Sequence, residues 1–154
     1  METQKSRILF FGTAIFTWLT TASICYTLYM IVKDLMMIFN IDAALNIVIS
    51  NFFYLIIFLI LLYYSIKNLN KLSSKKTFFV LIISYFIIQI LQFLYSYFFY
   101  EYMIENLGLS FSKYYDTVDN LFIKFQFENI IGIIKYLIAA LLILYYSKET
   151  KLIS

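Results

Sequence analysis

The stretch YLIIFLILLYYS at 54–65 returns as YLIAALLILYYS at 136–147, with eight of twelve positions identical. Each copy is an apolar run that ends in Tyr-Tyr-Ser, and a lysine follows within two residues, Lys67 and Lys148. The runs that hold these copies are 47–66 and 130–147, of 20 and 18 residues. Two more apolar runs, 8–32 and 77–100, have 25 and 24 residues. A bilayer core takes about 20 helical residues, with a range of roughly 17–25. In hydrocarbon each run must satisfy its own backbone hydrogen bonds, so helix is the form expected of an isolated run. The β-branched and aromatic residues read as strand in water, but the lengths decide against strand. The absence of proline agrees with unbroken helices.

Composition points the same way. Apolar residues make up 63% of 154 positions and charged ones 14%, with 15 Tyr and 17 Phe. A chain of this length is one domain at most, and its interior is too small to hide that much apolar surface from water. The expected fold is therefore all-α: a four-helix bundle of transmembrane helices in one domain over 1–154.

Charge sets the expected orientation. Lys5, Arg7, Lys67, Lys71, Lys75, Lys76, Lys148 and Lys151 fall on one side, opposed there only by Glu2 and Glu149. The other side holds Lys33, Lys113 and Lys124 against Asp34, Asp42, Glu101, Glu105, Asp116, Asp119 and Glu128. The positive-inside rule then puts both termini in the cytoplasm. Size and this clean asymmetry suggest a bacterial inner membrane. The first run exceeds the apolar core of a cleaved signal peptide, about 7–15 residues. Ala22-Ser23-Ile24-Cys25 is a poor lipoprotein cleavage site, because Ile24 is too large for the position before the cysteine.

The repeat has two explanations. Arg7-Ile8-Leu9-Phe10-Phe11 echoes Lys75-Lys76-Thr77-Phe78-Phe79, so both halves carry a faint second match. A duplicated helical hairpin with an insertion in its second outer loop accounts for both offsets. Convergence accounts for the Tyr-Tyr pairs as well, since interfacial aromatics followed by inner lysines are what a bilayer selects.

Outside the runs the chain is sparse. The first outer loop is expected at 33–46, with Leu35-Met36-Met37-Ile38-Phe39 dipping into the interface. The second, 101–129, contains Phe111, Tyr114, Tyr115, Val118, Leu121, Phe122 and Phe125 at helical spacing. That predicts one amphipathic helix over about 110–126, lying on the outer leaflet and capping the bundle or meeting a partner. Alternation over 123–128 also fits a short strand at its end.

Polar residues inside the runs mark the candidate site. No Asp or Glu falls within the four runs, which argues against a proton-coupled carrier. Lys135 is the one internal charge. It either snorkels outward or faces the bundle interior, as its spacing with Gly132 and Ala139 on one helix face suggests. Gln92, Gln89, Asn51 and Thr27 stand at similar depth on three other runs and complete a possible polar intramembrane cluster. The stripes Tyr85, Gln89, Gln92, Ser96 and Thr13, Thr17, Thr20, Thr27 read first as hydrogen-bond glue between helices. Cys25 and Trp18 read as packing residues.

No catalytic, cofactor-binding or metal-binding constellation is legible. There is no histidine, one cysteine, and no glycine-rich phosphate loop or serine elbow. The lysines track a membrane face, not a nucleic-acid surface. The expectation is thus a non-enzymatic multi-pass protein without a cofactor, whose partners are the lipid bilayer and another membrane protein. It would serve as an accessory subunit or as a protector against a membrane-inserted toxin. The alternative is a homo-oligomeric pore or facilitator with a polar outer-half cavity around Lys135.

Overall fold

Helix α1 spans Glu2–Ile38 and α2 spans Ala43–Lys67, so the first connection is only four residues long. In this computed structural model the described residues are 2–68, 74–108 and 110–149, with side chains at 8–68, 74–108, 110 and 113–145. Lys71 and Lys151, and the side chains of Lys5, Arg7 and Lys148, lie outside them. The remaining elements are α3 (Lys75–Leu107), α4 (Phe111–Asp116), α5 (Leu121–Phe125) and α6 (Phe127–Glu149). The structure is 90% helical, with no strand among the described residues. Four helices, Ile8–Ile38, Ala43–Lys67, Lys75–Leu107 and Phe127–Tyr145, are long and apolar enough to cross a membrane.

The first turn corrects the expected loop at 33–46. Nothing in Lys33–Ile38 stops a helix, and Met37 is fully buried, so α1 continues to Ile38. Asn40 then takes a left-handed φ of 53°. Its N–H donates to the Met37 carbonyl and the Ile41 N–H to that of Met36, both at 3.0 Å. These two bonds close the carbonyls that a helix end leaves open. Asp42 follows at once as the N-cap of α2, accepting from the Leu45 N–H at 2.9 Å. Helix α3 likewise outruns the expected 77–100, ending at left-handed Gly108, whose N–H donates to the Met103 carbonyl. At about 1.5 Å per residue, the 37 residues of α1 and the 33 of α3 exceed a hydrocarbon core of roughly 30 Å. One consequence is that Asp34 lies inside a candidate span after all, 6% exposed, accepting a 2.9 Å bond from the Tyr95 hydroxyl.

The long helices alternate in direction. Gly12 meets Phe78, the Thr20 hydroxyl reaches the Leu81 carbonyl, and Asp34 meets Tyr95, so α1 and α3 run parallel. Helix α1 packs on α2 and on α3, and α6 packs on α2, giving the lateral order α3–α1–α2–α6. The main core joins α1, α2 and α6 through Cys25, Tyr29, Tyr54, Phe58, Leu62, Ile66 and Ala139, with Trp18 and Leu142 against it. Helix α3 is an outrigger: Met103 is its one fully buried residue. A duplicated hairpin would pack α3 on α6 as α1 packs on α2, and that pairing is not among the main helix contacts. The second half of the chain does not repeat the packing of the first.

The expected single helix at 110–126 is broken in two. The Asn120 side chain accepts from the N–H groups of Phe122 and Ile123, starting α5 afresh, while the Thr117 hydroxyl donates to the Tyr114 carbonyl as α4 ends. Asn and Thr compete for backbone groups in this way, which periodicity alone does not register. The break lets Val118 tuck against Ala43 and Ile47, with Tyr114 and Phe127 alongside. The Tyr114 hydroxyl also donates to the Ile41 carbonyl and accepts from Asn46. Lys124 and Asp116 pair at 2.9 Å across the break. The segment over 123–128 that also fitted a strand is helical except at Gln126, the turn between α5 and α6.

Candidate functional site

Because α3 and α6 are held apart, a cleft of about 750 Å³ opens between them, floored by α1 and α2. Helix α1 contributes Ser23, Tyr26 and Tyr29, α2 contributes Asn51 and Tyr54, α3 contributes Tyr85, Gln89 and Gln92, and α6 contributes Glu128, Gly132, Lys135 and Tyr136. Four of the five residues expected to cluster line this one space: Lys135, Gln92, Gln89 and Asn51. Thr27 stands behind the wall, bonded to Gln92.

The amides on α3 act as clasps. The Gln89 amide donates to the Ser23 hydroxyl at 2.8 Å. The Gln92 amide donates to the Ser23 carbonyl at 2.8 Å and to the Thr27 hydroxyl at 2.9 Å. Lipid-embedded helices gain nothing from hiding apolar surface, so such bonds and close packing hold them together. Gly12 supplies the close approach: a Cβ there would meet the Phe78 ring at 3.0 Å. Asn51 behaves differently from expectation. Its amide donates to the Ile47 carbonyl on its own helix, so it lines the cleft without binding Lys135.

Lys135 faces inward and is 5% exposed. Its ammonium donates to the Tyr54 hydroxyl at 2.8 Å. It also sits 4.4 Å from the ring centres of both Tyr54 and Tyr136, with Phe58 at 5.6 Å. Tyr54 and Tyr136 are the residues that open the two copies of the repeated stretch. They meet at the one charge between them. A lysine at a helix centre in a bilayer costs about 2.5–3.5 kcal/mol. A desolvated cation–π contact returns about 2 kcal/mol, and a hydrogen bond to a charged group about 1.5–3 kcal/mol. The aromatic sandwich therefore suffices to hold an ammonium here. It supplies no opposite charge, and the one ion pair among the described residues is Lys124–Asp116.

The acid at the cleft mouth is already engaged. Tyr29 donates to Glu128 at 3.4 Å and accepts from Lys33 at 3.2 Å, so a basic side chain and a carboxylate are linked through one phenol. Lys33 also lies 4.7 Å over the Tyr115 ring, and burial pushes the Tyr115 phenol above its ordinary range, so that ring stays neutral.

Gly132 corrects one inference. A small residue on the Lys135 face points to a close helix contact, but a Cβ there would meet nothing within 4 Å. It lies on the cleft wall; Ala139, one per cent exposed, is the small residue that packs. Comparison with protein-family models, curated proteins and solved structures finds no match. The geometry therefore stands alone.

Ser23, Tyr29, Tyr54 and Glu128 belong to the site and were not singled out for it by sequence reasoning. Ser23 lies seven residues from Met30 and four from Thr27 on the α1 stripe, a usable signal. Tyr54 carried one too, as the repeat partner of Tyr136. A second cleft of about 730 Å³ lies between α1 and α3 and includes Asp34, Glu101 and Glu105. No group of three or more potential ligands placed to hold a metal occurs among the described residues.

Proposed function

We propose that this chain is an integral protein of a bacterial inner membrane, with both termini cytoplasmic, that acts without catalysis by binding another membrane protein. It would be an accessory subunit or a protector against a membrane-inserted toxin. The observation that carries this reading is α3. Among the long helices its main packing is on α1, and it turns Phe79, Ile83, Phe86, Ile87 and Ile90 outward along its length. An apolar helix packed mainly on one neighbour leaves a long face free to pack against a second protein within the bilayer. The excess of basic residues at the termini and at 67–76 supports the orientation.

The alternative, a homo-oligomeric pore or facilitator, draws on the polar cleft. That cleft is blind in one chain. Its lining stops at Leu19, Tyr54, Tyr85 and Tyr136, and below it Phe58 and Leu62 are fully buried. A path across the membrane would need several copies.

The test is purification of the tagged chain in native nanodiscs, with mass spectrometry of what accompanies it, and photocrosslinking from Ile83 and Ile90. A stoichiometric foreign protein crosslinked to α3 is expected. Recovery of this chain alone, with crosslinks only to itself or to lipid, overturns the accessory reading. Lys135-dependent ion flux in liposomes would then establish the pore.

A further inference from the structure

Independently of any protein partner, the geometry points to the α3–α6 cleft as a binding site for an amphiphile with an anionic head: the phosphate of an outer-leaflet lipid seated at Lys135 and Tyr54, its tail leaving between the two helices.

Three observations converge on this. The first is the unmatched charge. Lys135 is nine-tenths buried and lines the cleft, and its neighbours are a phenol oxygen and aromatic faces. An ammonium has three N–H donors, and the structure engages one of them in a hydrogen bond. Buried charges are ordinarily paired with an opposite charge. The carboxylate nearest along α6, Glu128, is bonded to Tyr29 and linked through it to Lys33. The second is the hydroxyl geometry. Tyr54 accepts from Lys135, which leaves its own O–H to donate toward an anion at the same spot. The third is access. Helices α3 and α6 are not a main packing pair, so the cleft opens sideways between them, which in the proposed orientation is toward the acyl region of the outer leaflet. Lys135 stands six residues inside Asn129, or about 9 Å along the helix. A headgroup can reach that depth only through a gap of this kind.

The lining suits an amphiphile better than a bare ion. Leu19, Ala22, Ile131 and Ile133 alternate with the polar groups, and about 750 Å³ is generous for an inorganic anion. Gly132 widens the wall where a side chain would narrow it. A free phosphate shares the head chemistry, and the experiment separates the two sources.

Trp18 is the only tryptophan in the chain, and its ring lies edge-on to Tyr136 at 5.7 Å. It reports on the cleft through Tyr136, which lines it. The full chain is reconstituted in nanodiscs of phosphatidylcholine containing graded amounts of brominated phosphatidylglycerol or, separately, brominated phosphatidylcholine. Quenching of Trp18 by the anionic lipid at a mole fraction about tenfold lower than for the zwitterionic lipid is expected. Lys135→Met should abolish the preference, and Lys135→Arg should keep most of it. Far-ultraviolet circular dichroism of each variant establishes that it is folded. Tyr54→Phe keeps the ring and removes the hydroxyl, and should weaken the preference without removing it. Equal quenching by both lipids, or a preference untouched in folded Lys135→Met, overturns the proposal. Relief of the quenching by millimolar inorganic phosphate overturns the lipid source and assigns the site to a soluble anion.

Discussion

Gln92→Leu isolates the contribution of hydrogen bonding to the seating of α3. The wild-type amide makes two bonds to α1, at 2.8 and 2.9 Å. Bonds between helices in a bilayer contribute about 0.6 kcal/mol each on average, with a maximum near 1.7. Two such bonds predict a loss of about 1.2 kcal/mol. The figure belongs at the average and not at the maximum, because the substitution orphans nothing. The Ser23 carbonyl still accepts from the Thr27 hydroxyl at 2.9 Å, so no buried acceptor is left bare. Leucine is also of similar bulk, so no large cavity opens. The assay is reversible SDS titration in bicelles, followed by circular dichroism, with Gln89→Leu and the double variant alongside. Gln89 makes one bond, to the Ser23 hydroxyl, and predicts about half the loss. A Gln92→Leu variant as stable as wild type would refute the docking of α3 on α1. A loss above about 3.5 kcal/mol would refute the glue reading, since two bonds in lipid do not exceed that value even at the maximum.

Two glycines make a paired prediction: Gly12→Leu should push α1 from α3 and lower the SDS midpoint markedly, because even a Cβ meets the Phe78 ring at 3.0 Å, whereas Gly132→Ala should leave the midpoint unchanged, since its Cβ meets nothing within 4 Å. At the first turn, Asn40→Ala forces a non-glycine aliphatic residue to φ 53° and should cost about 1 kcal/mol in the same titration. Asp42→Ala removes the side-chain cap on Leu45 and should cost a similar amount, about 1 kcal/mol, with no loss from Asp42→Ser.

The helical class was legible because it follows from local quantities. Runs of 18 to 25 apolar residues without proline leave no other way to satisfy the backbone in lipid, and the four long helices fall where those runs are. Helix ends were less legible. Hydropathy marks where a chain leaves hydrocarbon, not where its hydrogen bonds stop, so α1 passes Lys33 and Asp34 and ends only at Ile38, just before left-handed Asn40. Asn40 and Asp42, and Asn120 within the outer segment, are readable in hindsight as caps, and they outweighed periodicity in both places.

The polar cluster was partly legible for a similar reason. Depth along a helix can be counted, so Lys135, Gln92, Gln89 and Asn51 could be placed at one level from sequence. Which of them touch depends on rotation and on which helices are neighbours, and neither is a local quantity. Only the tertiary structure turned Asn51 back to its own helix, gave both glutamines to Ser23, and set Lys135 between the two tyrosines of the repeat. It also decided that α3 and α6 stand apart. In a bilayer every apolar face is equally content against lipid or protein, so composition carries no instruction about which helices meet. That choice rests on a few shape and hydrogen-bond contacts, such as Gly12 against Phe78 and Gln92 against Thr27, which exist only once the helices are side by side.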